Sequence, residues 1–167
     1  MARYLYLLRH AQSVERQPNE RDHDRELTPR GAQEAMMLGA HLQKRGAMID
    51  VILSSTAERA KATANLVGEM LKFDMEKIFL HEELFDASTR TFFQFLSQLS
   101  DDYQSVMCVG HNPAISYVAE YLTRAEIGDI FPTGLAVIQC NVQSWKELSQ
   151  GTGELTDYIH PSILNNS

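Results

Sequence analysis

Three short apolar runs constrain this chain most, because each stops abruptly at polar side chains. Tyr4-Leu5-Tyr6-Leu7-Leu8 ends at Arg9-His10. Asp50-Val51-Ile52-Leu53 gives way to Ser54-Ser55-Thr56-Ala57-Glu58-Arg59, and Val106-Met107-Cys108-Val109 to Gly110-His111-Asn112-Pro113. A β-forming run without polar alternation reads as a strand buried on both faces, as in parallel sheets. Helical patterns follow the second and third runs. The expected fold class is therefore α/β, a three-layer α/β/α sandwich with a mostly parallel sheet.

The helices carry their own boundaries. Thr28 is a good N-cap with Pro29 at the first helical position, and Ala32, Ala35, Met36, Leu38, Gly39 and Leu42 make an apolar face before Gly46. Thr56 is the expected cap of a second helix reaching about Leu71, with Ala60, Ala64, Leu66 and Val67 as packing positions. Ser88 opens a third, whose Phe92, Phe93, Phe95, Leu96 and Leu99 form a heavy face that belongs in a core. Asn112 and Pro113 cap a fourth, through about Leu122. A strand from Leu135 to Val142 precedes a polar tail, whose Trp145, Tyr158 and Ile159 are expected to fold back on the sheet.

If the three runs lie parallel, Arg9, His10, Arg59 and His111 meet at the carboxyl rim of the sheet, where open α/β folds bind ligands. Four such groups repel one another unless an anion lies among them. A phosphoryl group suits the guanidinium forks, and helix starts just after His111 and just before Arg59 favour the same charge.

Bulk properties restrict the alternatives. The 167 residues suit one domain spanning the whole chain, 1–167. Fifteen Lys and Arg against 22 Asp and Glu leave a net charge of −7, which argues against a nucleic-acid or anionic-membrane partner. The first apolar run is too short for a signal-peptide core and no stretch is long enough to span a bilayer, so a cytoplasmic location is expected. Cys108 and Cys140 sit in apolar strand patterns and read as small buried hydrophobes, not as a disulfide.

In order along the chain, Leu7-Leu8-Arg9-His10-Ala11, Arg25-Glu26-Leu27-Thr28-Pro29-Arg30-Gly31, Leu53-Ser54-Ser55, Ala57-Glu58-Arg59-Ala60-Lys61-Ala62-Thr63, Val109-Gly110-His111-Asn112-Pro113 and Phe131-Pro132-Thr133-Gly134 resemble the blocks of the histidine phosphatase superfamily. The resemblance extends to its short phosphohistidine phosphatases of the SixA type, and covers nearly the whole chain. Ala11 stands where the superfamily usually has Gly, which the short branch tolerates. After His10 the chain lacks the Trp-Asn of the cofactor-dependent mutases.

The resemblance implies a phosphoglycerate mutase-like fold and a phosphatase with His10 as nucleophile. Arg9, Arg59 and His111 would clamp the phosphoryl group, with Arg25 as a further donor. Residue by residue, Arg25 reads equally well as a solvated charge in the charge-rich segment 19–26. Asp22, His23 and Asp24 are ligand types, but adjacent residues seldom converge on one ion, so no metal or other cofactor is expected. His41, His81 and His160 have no evident companions.

A leaving alkoxide needs a proton, which larger superfamily members take from a glutamate. Here Glu82, Glu83 and Asp86 are the candidates, Glu83 matching the Glu-Leu of the short branch and Glu82 the longer enzymes' spacing; surface acids are the other reading. The implied partner is a phosphohistidine-bearing protein and the product inorganic phosphate. A small phosphate ester as substrate and a non-catalytic phosphoprotein-binding module are the alternatives.

Overall fold

The computed structural model describes residues 2–165. Among these, the strands β1 (Arg3–Arg9), β2 (Val51–Ser55), β3 (Ile78–His81), β4 (Ser105–Gly110), β5 (Leu135–Cys140) and β6 (Gly153–Ile159) form one sheet in the order β3-β2-β4-β1-β5-β6. β4 lies between β1 and β2 and is parallel to both, and β3 is parallel to β2. β5 runs antiparallel to β1 and to β6. The three apolar runs are thus the adjacent strands β1, β4 and β2, whose carboxyl ends share one rim.

Helices cover both faces, which is why the central strands carry no polar alternation. On one side, α1 (Pro29–Lys44) and α2 (Glu58–Met70) bury Ala35, Leu38, Ala60, Ala64 and Val67 against Leu8, Ile52, Met107 and Val109. On the other, α3 (Thr89–Ser97) and α4 (Ala114–Thr123) bury Phe92, Leu96, Ile115 and Val118 against Leu5, Leu7, Val51, Leu53, Val106 and Cys108. Successive strand residues alternate between the two cores. A short α5 (Pro161–Asn165) follows β6.

The helix signals are mostly realised. Thr28 Oγ1 accepts from Gly31 N–H at 2.9 Å with Pro29 in the first turn, and Ser88 Oγ accepts from Thr91 N–H at 3.1 Å. Gly31 is required by a close approach: a Cβ there would stand 2.2 Å from the Gln12 carbonyl oxygen, so α1 starts directly on the chain leaving β1.

Three local expectations are corrected. α2 has Ala57, not Thr56, at its N-cap and carries no side-chain cap; Ser55 Oγ accepts from Ala57 N–H at 3.1 Å and the Thr56 hydroxyl pairs with His23 Nε2 at 2.9 Å. Pro113 occupies the N-cap of α4, and its neighbour Asn112 instead accepts from Ser116 Oγ at 2.6 Å. β5 stops at Cys140. The tail returns as the edge strand β6 containing Tyr158 and Ile159, while Trp145 lies in a separate 3-10 turn under α3, its indole N–H donating to the Tyr103 carbonyl at 3.0 Å. Cys108 and Cys140 are buried free thiols, and burial pushes the Cys140 thiol up to about 12.

Candidate active site

β1, β2 and β4 each deliver a side chain to the rim. His10 follows β1 directly and is 8 % exposed, and Arg59 in the first turn of α2 is 5 % exposed. His111 follows β4, with its ring centroid 5.2 Å from that of His10.

One hydrogen bond decides the chemistry of His10. Its Nδ1 lies 2.8 Å from the Ala11 carbonyl oxygen, which can only accept, so Nδ1 carries the hydrogen and Nε2 holds a lone pair. Burial, then the charges of Arg59, Arg9 and Arg25, outweigh that hydrogen bond and push the imidazole down to about 4. His111 is lowered further, to about 3, by burial and by His10 and Arg59. Both rings are therefore neutral at pH 7. His111 Nε2 lies 2.8 Å from Ser55 Oγ; that oxygen already accepts from Ala57 N–H, so its own hydrogen is available to the ring.

The cations around His10 are held by polar contacts of their own. Arg9 donates through Nη1 to the Ile130 carbonyl at 2.8 Å, and the Arg9 and His10 carbonyls accept from Thr133 N–H at 3.2 and 3.3 Å. Arg59 donates through Nη1 to the Asp22 carbonyl at 2.7 Å and through Nη2 to Asp22 Oδ2 at 3.0 Å. Arg25 donates through Nε to Asp22 Oδ1 at 2.8 Å and through Nη1 to the Val14 carbonyl at 3.1 Å. Its side chain is thus pinned beside the shared Asp22 carboxylate and not free in solvent. Burial works against the Asp22 carboxylate, but Arg59 and Arg25 together hold it below its ordinary range.

Among the described residues, the buried Nε atoms of Arg9 and Arg59 and the buried hydroxyl of Thr133 have no hydrogen-bond partner. Such donors are costly to leave unpaired, and their clustering around a basic rim suits an oxyanion.

Three residues to which sequence reasoning gave no part in the site complete the frame. Thr63 Oγ1 accepts from Ala11 N–H at 2.9 Å and donates to the Arg59 carbonyl at 2.7 Å, tying the end of β1 to the first turn of α2. Its position four residues after Arg59 was the available signal, since a helical hydroxyl can reach the carbonyl one turn back. Asp22 was weighed only as a metal ligand; its carboxylate is instead spent on two arginines. Ser55 orders both His111 and the start of α2. Among the described residues no group of three or more His, Cys, Asp or Glu side chains is arranged to hold a metal ion.

Beside His111 lies a cavity of about 200 Å³ whose walls include Asp22, Arg59, Phe85, Asp86, Phe92 and His111. Phe85 stands edge-on to His111, with ring centroids 5.7 Å apart, and to His23 at 4.8 Å. Of the three candidate acids only Asp86 lines this cavity. Glu82 is exposed, and Glu83 points elsewhere, its Oε1 3.7 Å from His81 Nδ1 beside a separate cleft. The structure therefore does not bring Glu83 to His10. A 3-10 turn over Glu82–Leu84 rotates the backbone so that Leu84 is buried and both glutamates face outward.

Comparison with known proteins identifies the family and the fold. The sequence pattern of the histidine phosphatase superfamily (branch 1) matches residues 5–89. An uncharacterized protein of Mycobacterium leprae is 33 % identical over 150 residues, 84 % of this chain and 89 % of the relative. The crystal structure of a candidate phosphohistidine phosphatase SixA from Agrobacterium tumefaciens superposes with a TM-score of 0.82 at 28 % identity, covering 96 % of this chain and 99 % of that one. A second such candidate, from Nakamurella multipartitia, gives 0.81 at 29 % identity over 96 % and 97 % of the two chains.

Proposed function

The chain belongs to the histidine phosphatase superfamily, and from that premise we propose that it is a metal-independent phosphohistidine phosphatase acting on a phosphoprotein. The observation that carries the reading is the Nδ1–H to Ala11 carbonyl bond, which leaves His10 Nε2 unprotonated at neutral pH amid Arg9, Arg25 and Arg59. A low-pKa imidazole with a fixed tautomer is ready to attack phosphorus. The phosphohistidine assignment is supported by the likeness to the two SixA-type structures. No described helix is long and apolar enough to cross a membrane, and we place the reaction in the cytoplasm.

In the first step His10 Nε2 forms a bond to phosphorus while the bond to the leaving nitrogen breaks, its electron pair staying on that nitrogen. Arg9 and Arg59 offset the charge of the transferring group, with neutral His111 as a hydrogen-bond donor and Arg25 as a further donor, which is most of what a protein contributes to phosphoryl transfer. Asp86 is the acid at the cavity wall that can return a proton to the leaving group. In the second step water attacks phospho-His10, gives its proton to the Asp86 carboxylate and releases inorganic phosphate. An imidazole leaving group needs that proton less than an alkoxide does, so the exposed position of Asp86 suits a phosphoramidate.

The test is a rapid acid-avoiding quench with phosphohistidine protein, small phosphate esters and phosphoserine peptide compared under one condition. The expected result is a base-stable, acid-labile phosphoenzyme that His10→Ala abolishes, with kcat/KM highest on phosphohistidine protein. A marked preference for a small ester makes the chain a general phosphomonoesterase. Retention of a phosphorylated partner without turnover makes it a binding module.

A further inference from the structure

Arg9 takes its direction from the segment 130–134, which leads into β5. The Ile130 carbonyl holds its guanidinium through Nη1 at 2.8 Å, Arg9 N–H donates to the Gly134 carbonyl at 3.0 Å, and the Arg9 carbonyl accepts from Thr133 N–H at 3.2 Å. That segment is fixed in turn from α4. Ser116, 1 % exposed in the first turn of the helix, accepts through Oγ from Ile130 N–H at 2.9 Å. The same Oγ lies 2.6 Å from Asn112 Oδ1, and Asn112 Nδ2 lies 3.1 Å from the Ile130 carbonyl. Donor and acceptor chemistry sets every hydrogen in this closed ring. A carbonyl only accepts, so the Asn112 amide turns its NH2 to Ile130 and its oxygen to Ser116. Ser116 Oγ already accepts from Ile130 N–H, and its one hydrogen therefore goes to Asn112 Oδ1. Arg9 Nη1 and Asn112 Nδ2 together fill both lone pairs of the Ile130 carbonyl.

We propose that Ser116 is a positioning residue for the phosphoryl clamp, acting through Asn112 and the Ile130 peptide to fix Arg9 relative to His111. Asn112 directly follows His111, so the ring joins a clamp residue at the end of β4 to one at the end of β1. Arg9 Nη1 is spent on Ile130, which leaves Nη2 for the phosphoryl group. Without the Ser116 hydroxyl, Ile130 N–H loses its acceptor and Asn112 Oδ1 its donor in a buried setting, so the arrangement that holds them is no longer the favoured one. A turn of the Ile130 peptide carries its carbonyl and the Arg9 guanidinium with it. Misplacing a clamp group by about 1 Å costs up to about 10²-fold in rate, so a residue that touches no reacting atom still controls the site. The proposal rests on Arg9 as a phosphoryl ligand and is indifferent to whether the substrate is a phosphohistidine or an ester.

A double-mutant cycle read by the affinity for inorganic phosphate, titrated by ³¹P NMR, tests it. Ser116→Ala should raise the phosphate Kd about tenfold or more, because a charge-assisted hydrogen bond is misdirected. Arg9→Ala should raise it at least as far, and in that background Ser116→Ala should add less than about twofold, since residues that act through one another are not additive. Asn112→Ala opens the ring at its other member and should give the same pattern. In ¹⁵N spectra the Arg9 guanidinium should show separate Nη signals in the wild type and averaged ones in Ser116→Ala. Thr123→Ala is the control on the same helix: Thr123 Oγ1 accepts from Ala125 N–H at 3.1 Å and donates to the Ala119 carbonyl at 2.8 Å, away from the rim, so its loss should change neither readout. Thermal melts show that each variant is folded. Wild-type phosphate affinity in Ser116→Ala, losses that add in the double variant, or an equal loss in Thr123→Ala would each overturn the proposal alone. Unimpaired phosphate binding by Arg9→Ala would overturn the phosphoryl reading of the site and the proposal with it.

Discussion

Lowering the pH should reveal how strongly the fold suppresses protonation of His10. An imidazole with an ordinary value near 6.5 is only about one-tenth neutral at pH 5.5, whereas one held at about 4 is ~97 % neutral there. The nucleophile should therefore stay competent through pH 5. The same effect appears in stability, with a definite sign. The folded value lies below the unfolded one, so the unfolded chain takes up the proton first and stability falls as pH drops from about 6.5 towards 4. At about 1.4 kcal/mol per tenfold in proton affinity, His10 accounts for ~3 kcal/mol of that loss, and His111 adds to it in the same direction. Long-range ¹H–¹⁵N NMR of the imidazoles distinguishes both tautomer and protonation. The expected spectrum shows His10 as the Nδ1–H form from pH 8 to 5, with urea denaturation in parallel losing stability below about pH 6.5. An imidazolium signal from His10 at pH 6, or denaturation midpoints flat between pH 6.5 and 4.5, would refute the reasoning.

Four substitutions test the surrounding frame. Asp22→Asn removes the carboxylate shared by Arg59 and Arg25; because Asp22 is half exposed, thermal melts should register only about 1 kcal/mol, while steady-state kinetics lose roughly tenfold or more in kcat/KM as both guanidinium groups lose their anchor. Arg59→Lys keeps the charge but cannot hold Asp22 through two nitrogens, so turnover should fall by at least about tenfold on every substrate tested. Asp86→Asn should slow hydrolysis of a poor-leaving-group alkyl phosphate by about 10²-fold and that of phosphohistidine far less, whereas Glu83→Gln should change neither. Undiminished activity after dialysis against EDTA is expected for all forms, and loss reversed by a divalent ion would contradict a metal-independent mechanism.

The central architecture was legible because it rests on local patterns. Uninterrupted apolar runs such as Leu5–Leu8 can be buried only between two helical layers, and Thr28-Pro29 and Ser88 mark helix starts through bonds spanning three residues. Parallel packing of those runs was enough to bring Arg9, His10, Arg59 and His111 to one rim. β3 was not legible, because an exposed four-residue edge strand carries neither alternation nor a buried run. β6 was read only as a returning tail, since its polar residues become a strand by pairing with β5.

What the chain determines by itself, then, is the set of buried strands and the residues that terminate them, because burial on both faces leaves a signature in consecutive positions. Tertiary structure alone decided the function of residues whose partners lie far away in sequence. Asp22 resembles one more charge in a solvated loop until Arg59, 37 positions on, donates to it, and Thr63 is an ordinary helical hydroxyl until the Ala11 amide meets it across 52 positions. Glu83 and Asp86 differ by three positions and by little chemistry. The turn between them sends one towards His81 and the other to the cavity beside His111, a distinction made by backbone direction and therefore invisible in residue type.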